Sequence, residues 1–159
     1  MIETILWDVD GTLLDFAAAE AAAIRRLFAE HGLGDCTEEM LRRYSATNKR
    51  WWERLERGEV TRMQVLEGRF REFFTAEGLD ASLAPAFNER YQVCLGDTIV
   101  YRDDSLAIVR ALRGRVRQYV VSNGTVVAQE KKLRLSGLGA LMDGVFLSEE
   151  LGVEKPDPA

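Results

Sequence analysis

An α/β domain built on a parallel sheet and interrupted by a long all-helical insertion is the architecture that this sequence predicts. Three observations carry it. A short apolar run from Thr4 to Val9 ends in the turn residues Asp10-Gly11-Thr12. From Phe16 to about Leu95 the pattern is helical without one convincing strand, and after Tyr101 strand and helix patterns alternate again. The 159 residues are enough to bury a core, and length alone suggests one domain. The change of period argues for two: residues 1–14 with 101–159 as the α/β core, and residues 15–100 as an inserted α-helical unit.

The elements follow in order. Thr4 to Val9, β-branched and aromatic, reads as a buried strand that opens into a loop. Ile24, Leu27 and Phe28 form a helical stripe that stops at Gly32. Thr37 offers an N-cap with Glu38 and Glu39 in the first turn, where the helix dipole favours acids. The helix that follows runs through Tyr44 and Trp52. Thr61 and Gln64 have capping-box spacing, and Met63, Leu66, Phe70 and Phe73 then share a face up to Gly78. A further helix starts near Ser82, carries Leu83, Phe87, Tyr91 and Cys94 on one stripe, and stops at Gly96. These helices make a small bundle. Beyond Tyr101, Asp104 or Ser105 caps a helix through Leu106, Val109 and Leu112 that Gly114 ends. Tyr119-Val120-Val121 reads as a fully buried strand stopped by Ser122-Asn123-Gly124; a helix to about Leu135 and the strand Val145-Phe146-Leu147 follow. Strands separated by helices in this order are parallel, with right-handed crossovers.

Composition narrows the class of partner. Lys and Arg total 21 against 26 Asp and Glu, a formal charge of −5 with both signs interleaved and no basic block, so neither nucleic acid nor a membrane surface is the expected partner. An anionic substrate would need local cations or a metal. Cys36 and Cys94 match no zinc or redox spacing and read as reduced packing thiols. The N-terminus lacks a basic leader and no apolar stretch approaches bilayer length, so the expectation is a cytoplasmic protein.

Chemistry concentrates at Asp8-Val9-Asp10-Gly11-Thr12. Residues two apart on extended backbone point to one side, so both carboxylates emerge together at the carboxyl end of a parallel strand, where open α/β sheets place ligands. Adjacent acids repel unless a cation, a shared proton or solvent compensates them. Gly11 permits a sharp turn that would expose backbone N–H groups, and Thr12 adds a hydroxyl. Asp-Gly turns often merely end a strand, but a chance Asp-x-Asp-Gly-Thr in such a chain has odds on the order of one in several hundred. Ser122 and Asn123 end the second strand on the same side, where a hydroxyl and an amide N–H suit phosphate oxygen. Lys155, before Pro156-Asp157-Pro158, sits on a loop that the prolines hold extended.

Together, Asp8-Val9-Asp10-Gly11-Thr12, Val121-Ser122-Asn123-Gly124, and Ser148-Glu149-Glu150-x-Gly152 with Lys155-Pro156-Asp157-Pro158 resemble the first three motifs of the haloacid dehalogenase superfamily, in order. The resemblance implies a Rossmann-like parallel sheet with an α-helical cap; three strands are present here and five or more are usual in the family. It implies that Asp8 is the nucleophile, Asp10 the general acid and base, Ser122 a phosphate-oxygen donor, and Lys155 the neutralising cation. Gly11, Thr12 and Asn123 complete the phosphate site. Mg²⁺ would rest on the Asp8 carboxylate and the Asp10 backbone carbonyl. Asn48-Lys49-x-Trp51 and the cap layout resemble the pyrimidine 5′-nucleotidase branch, which implies a small phosphate monoester, first a nucleoside 5′-monophosphate, as substrate and makes Asn48, Lys49 and Trp51 substrate contacts. The second acid disfavours a dehalogenase. The cap would close over the substrate at hinges near Asp15 and Val100. Alternatives are a sugar-phosphate or phosphoglycolate-type phosphatase and a non-catalytic binding fragment.

The family's fourth motif, an acidic Gly-Asp type pair, has no counterpart before Ala159, so the expectation is a C-terminally truncated chain of little or no activity by itself. The first strand would then be an apolar edge open to self-association. Among lesser features, His31 suits a helix end. Tyr44, Trp51 and Trp52 could stack on a base or simply pack the bundle. Arg25-Arg26, Arg42-Arg43 and Lys131-Lys132 read as solvated faces.

Overall fold

Residues 1–158 are described by the computed structural model. In it, β1 (Thr4–Trp7) ends two residues before the expected end of the first strand. The cause is the Val9 carbonyl, which leaves the ladder to accept from the N–H groups of Thr12, Leu13 and Leu14 at 3.0–3.3 Å. Three parallel strands, β1, β2 (Arg117–Ser122) and β3 (Gly144–Leu147), lie side by side in the order β1-β2-β3, with Trp7 opposite Val120 and Ser122 opposite Leu147.

Helix α1 (Phe16–Glu30) follows the first loop, and α5 (Ser105–Leu112) and α6 (Val126–Ser136) precede β2 and β3. Right-handed crossovers that step in one direction across a sheet place their helices on the same face. One face is accordingly the core: Val9, Leu13, Leu14, Val109, Val120, Leu133 and Leu138 are buried together there. This corrects the reading of β2 as fully buried. Gln118, Val120 and Ser122 are buried while Tyr119 and Val121 are only half-buried on the other face, beside Leu6, which is 64% exposed. Gly137 closes α6 in the left-handed region. Asp104 takes the N-cap position of α5 without a side-chain bond, and the Ser105 hydroxyl donates instead to the Leu13 carbonyl at 2.7 Å.

The chain divides into two compact units, one of residues 1–19 with the stretch from Val93 onward, the other Glu20–Gln92. The boundaries differ from those expected at residues 15 and 100. Asp15 donates to the Val100 carbonyl at 2.8 Å, Leu14 bridges Tyr101, and Arg102 donates to the Leu13 carbonyl at 3.0 Å, which keeps both connecting segments with the sheet.

The second unit holds most of α1, with α2 (Glu38–Glu56), α3 (Arg62–Ala76) and α4 (Ala84–Leu95) as far as Gln92. Thr37 caps α2 by accepting from Met40, and Thr61 and Gln64 form the reciprocal capping box of α3. Asp80 caps a short 3₁₀ turn, Ala81–Leu83, ahead of α4. On α3 Val65, Arg69, Phe70, Phe73 and Phe74 are buried; of the expected stripe Phe70 and Phe73 are buried, Leu66 is half-buried, and Met63, in the first turn, is exposed. Aromatic rings fill this core: Tyr44 stacks on Phe70, with centroids 5.1 Å apart, and Phe87 meets Phe28, Phe70 and Phe74 edge-on. His31 ends α1 as expected, its Nδ1 3.0 Å from the Leu27 carbonyl and its ring against Phe87.

Candidate active site

The end of β1 and the loop after β2 present the acidic and polar residues together in the first unit. Asp8 follows the last residue of β1. Its Oδ1 accepts from the Lys155 ammonium at 2.8 Å and its Oδ2 from the Thr12 hydroxyl at 3.3 Å. Both partners of the Asp8–Lys155 pair keep about two-fifths of their side-chain surface in solvent. Lys155 also donates to the Val121 carbonyl at 2.9 Å, so its ammonium is tied to the end of β2.

Asn123 fixes that loop. Its side-chain oxygen accepts from the Lys155 backbone N–H at 2.8 Å and its amide donates to the Lys155 carbonyl at 2.9 Å. The side chain expected on phosphate thus pins the backbone of the cation, across 32 residues of sequence. Ser122 is buried, and its Oγ accepts from the Gly124 N–H at 3.0 Å, which leaves its own proton to donate.

The turn after Asp8 departs from expectation. Gly11 adopts φ +81°, the left-handed conformation a glycine permits. Yet its N–H is spent on the Leu14 carbonyl at 2.8 Å and that of Thr12 on Val9 at 3.3 Å, so these two donors stabilise the loop from within. Arg102 donates to the Gly11 carbonyl at 2.7 Å and braces the turn from the other strand of the connection.

Asp10 is held differently from Asp8. Its Oδ1 lies 2.5 Å from the Lys132 ammonium, and its Oδ2 accepts from the Gln129 amide at 2.7 Å. Lys132 is 2% exposed, which overturns the reading of Lys131-Lys132 as a solvated pair; Lys131 itself is ion-paired with Asp97. Gln129 and Lys132 are the residues that the motif reading missed. The available signal was their position on the buried stripe of α6 with Ala128, Leu133 and Ser136, where polar side chains need partners.

Asn48, Lys49 and Trp51 lie in the second unit. The Asn48 amide is buried, donating to Glu20 at 2.8 Å while its oxygen accepts from Arg69 at 2.8 Å. Ser45 also donates to Glu20, and Arg69 continues to Asn88 at 2.9 Å. Burial pushes the Glu20 carboxyl up, against the opposing pull of Ser45, Asn48 and Arg69. Lys49 is exposed and pairs loosely with Glu53 at 3.7 Å. Trp51 donates to Glu72, packs against Gly68 and carries Arg54 over its ring at 4.5 Å.

Asp8 and Asp10 offer carboxylate oxygen. Among the described residues no group of three or more His, Cys, Asp or Glu gathers as a metal cage. A partly exposed Asp8 carboxylate beside the Asp10 backbone carbonyl suits an ion that keeps much of its water and takes one or two carboxylates, as Mg²⁺ does. No helix among the described residues is long and apolar enough to cross a membrane.

The family model for haloacid dehalogenase-like hydrolase matches residues 2–159. A Bacillus subtilis protein named as a HAD-hydrolase, YfnB, is 35% identical over 153 residues, covering 96% of this chain and 64% of its own length. The pyrimidine 5′-nucleotidases PynA of Streptococcus pneumoniae and YjjG of Escherichia coli are 32% and 28% identical; each match covers 96% of this chain, and 64% and 65% of the respective relative. The crystal structure of YfnB, described as bound to magnesium, superposes with a TM-score of 0.87 at 34% identity, covering 98% of this chain and 68% of that one. The chain therefore spans just under two thirds of the length of the curated relatives it matches.

Proposed function

The chain belongs to the haloacid dehalogenase-like hydrolases, and from that premise we propose that the full-length protein hydrolyses small phosphate monoesters, nucleoside 5′-monophosphates foremost, through an aspartyl-phosphate on Asp8. The observation that carries the proposal is the Asp8–Lys155 contact at 2.8 Å beside a second, separately held acid. A carboxylate with solvent access is an attacking group, a lysine at its side accepts the incoming dianion, and a second acid supplies and removes the proton.

In this reading an Asp8 oxygen attacks phosphorus as the bond from phosphorus to the ester oxygen breaks, and Asp10, entering the step with a proton taken up from solvent, gives that proton to the ester oxygen. Asp10 then takes a proton from water, the resulting hydroxide attacks the aspartyl-phosphate, and Asp8 is released as a carboxylate with inorganic phosphate. Ser122 donates to a phosphoryl oxygen. Lys155, already fixed by Asn123 and the Val121 carbonyl, needs little reorganisation to meet the substrate.

Charge supports a metal in this site. Asp8 and Asp10 are balanced by Lys155 and Lys132. A phosphate monoester adds about −2, which a divalent ion offsets. Asp8 and Asp10 would hold Mg²⁺ through oxygen, and the ion would supply Lewis-acid stabilisation of phosphoryl charge. The nucleotide preference rests on similarity to PynA and YjjG, named as pyrimidine 5′-nucleotidases.

Phosphate release from a panel of nucleoside monophosphates, sugar phosphates and phosphoglycolate, with and without Mg²⁺, tests the reading. Turnover highest on pyrimidine nucleotides, lost with Asp8→Asn and with chelator, is the expected result. A preference for sugar phosphates would replace the substrate, and undiminished turnover by Asp8→Asn would overturn the mechanism.

A further inference from the structure

The α6 face behind Asp10 carries more than packing. Lys132 is buried, and its ammonium lies against the Asp10 carboxylate at 2.5 Å and the face of the Phe16 ring, 5.3 Å from its centroid. Gln129, one turn earlier on the same helix face, is also buried and gives its amide to the other Asp10 oxygen at 2.7 Å. Its own carbonyl oxygen is buried without a hydrogen-bond partner. An orphaned buried carbonyl is a cost that packing alone does not explain. The side chain accepts it while keeping its amide on Asp10.

Gly124 makes the same point from the opposite side. A Cβ at that position would stand 2.1 Å from the Gln129 amide nitrogen, so the backbone of the Ser122-Asn123-Gly124 turn comes as close to Gln129 as a glycine allows. The turn that supplies Ser122 also confines Gln129. A carboxylate has about four acceptor positions; Gln129 and Lys132 take two, one on each oxygen, which fixes the plane of the group and leaves two for a reacting proton or water.

We propose that Gln129 and Lys132 are positioning residues that clamp the Asp10 carboxylate, one per oxygen, in the orientation that its proton transfers require. The inference rests on the phosphatase reading of the site and concerns only the steps in which Asp10 gives or takes a proton. Attack by Asp8 on a substrate whose leaving group departs unprotonated does not depend on the clamp.

The test uses Gln129→Leu and Lys132→Met with two substrates, a nucleoside 5′-monophosphate and p-nitrophenyl phosphate, whose aryl oxide leaves without a proton. Expected is a fall in kcat of about 10–100-fold on the nucleotide with KM little changed, while the first-turnover release of nitrophenolate stays near the wild-type rate. Equal loss on both substrates, or no loss on the nucleotide, overturns the proposal. A second measurement does not need turnover: thermal unfolding of Asp10→Asn, Lys132→Met and the double variant. Removing either partner alone leaves the other unpaired in a largely buried site, so the double variant should lose less than the two single losses added together. Strict additivity means the two groups are not coupled and overturns the clamp. A full-length protein that hydrolyses neither substrate defeats the phosphatase reading, and the unfolding cycle still decides whether Asp10 and Lys132 are coupled.

Discussion

Gly124→Ala isolates the link between the second motif and Asp10, the proposed acid–base residue. Gly124 has no left-handed backbone requirement, so alanine meets no backbone strain there. Its methyl would lie 2.1 Å from the Gln129 amide nitrogen and 2.8–2.9 Å from the carbons behind it, and the flexible amide has to retreat by about 1 Å. The fold should absorb this at the cost of one displaced rotamer, about 1 kcal/mol. The bond from Gln129 to Asp10, 2.7 Å long, does not survive such a shift. A hydrogen bond to a charged group is worth about 1.5–3 kcal/mol, and 1.36 kcal/mol is tenfold in rate, so kcat should fall about 10–100-fold if the bond serves proton transfer. The assay is steady-state turnover of a nucleoside monophosphate, with the thermal midpoint as the control for folding. Gln129→Ala removes the clashing atoms, so Gly124→Ala combined with Gln129→Ala should be no slower than Gln129→Ala alone. Wild-type kcat in Gly124→Ala, or losses that multiply in the double variant, would refute the reasoning.

Other perturbations separate site from scaffold. Lys155→Met leaves Asp8 without its cation and should lower kcat about 10²–10³-fold with little effect on the thermal midpoint, because the pair is half in solvent. Arg69→Met removes a buried guanidinium bonded to Asn48 and Asn88 and leaves Glu20 without the opposing charge of Arg69; a loss of about 3–5 kcal/mol in denaturant unfolding is expected. Burial raises the Glu20 carboxyl, so in the window between its ordinary and its raised value the folded chain holds more protons than the unfolded one, and stability falls as pH rises through it. Glu20→Gln should therefore flatten that part of the stability–pH curve and improve relative to wild type from mildly acidic to neutral pH; an unchanged slope in urea melts would contradict the assignment. Leu6 is exposed on β1, an edge strand of the sheet, and self-association through that edge should appear as a mass that rises with concentration in light scattering and falls in Leu6→Lys.

Local chemistry was legible in the sequence wherever a few neighbouring residues decide the outcome. The Thr37 cap and the Thr61–Gln64 box need only four residues each, and both form as the spacing requires. Asp8 and Lys155 are 147 positions apart, and their contact was readable only because motif order carried it. Burial was harder to read. The run Tyr119-Val120-Val121 has no polar residue to show which face stays open, and the answer depends on both crossover helices lying on one side. Met63 and Phe70 share a helix face, but Met63 lies in the first turn of α3 and is exposed, whereas Phe70 lies mid-helix and is buried with Val65 and Arg69. Arg69 and Lys132 were the least legible. A basic residue on a helix normally points to solvent, and nothing near either in the sequence identifies Asn48, Asn88 or Asp10 as the partner.

The two lysines divide the work of neutralising the acidic pair by where they sit. Lys155 meets Asp8 in partly solvated surroundings, with side-chain exposure of 41% and 42%, so water and salt screen the pair and its partners can change at small cost. A phosphate arriving at Asp8 can share that ammonium. Lys132, at 2% exposure, has Asp10 and the Phe16 ring beside its charge, and moving it to a substrate would strip a partly buried carboxylate of its counter-ion. Under the proposed function, substrate binding therefore draws on Lys155 and leaves Lys132 in place. Phosphate capture and proton transfer can then be tuned by separate cations on separate elements, the loop after α7 (Ser148–Leu151) for one and α6 for the other.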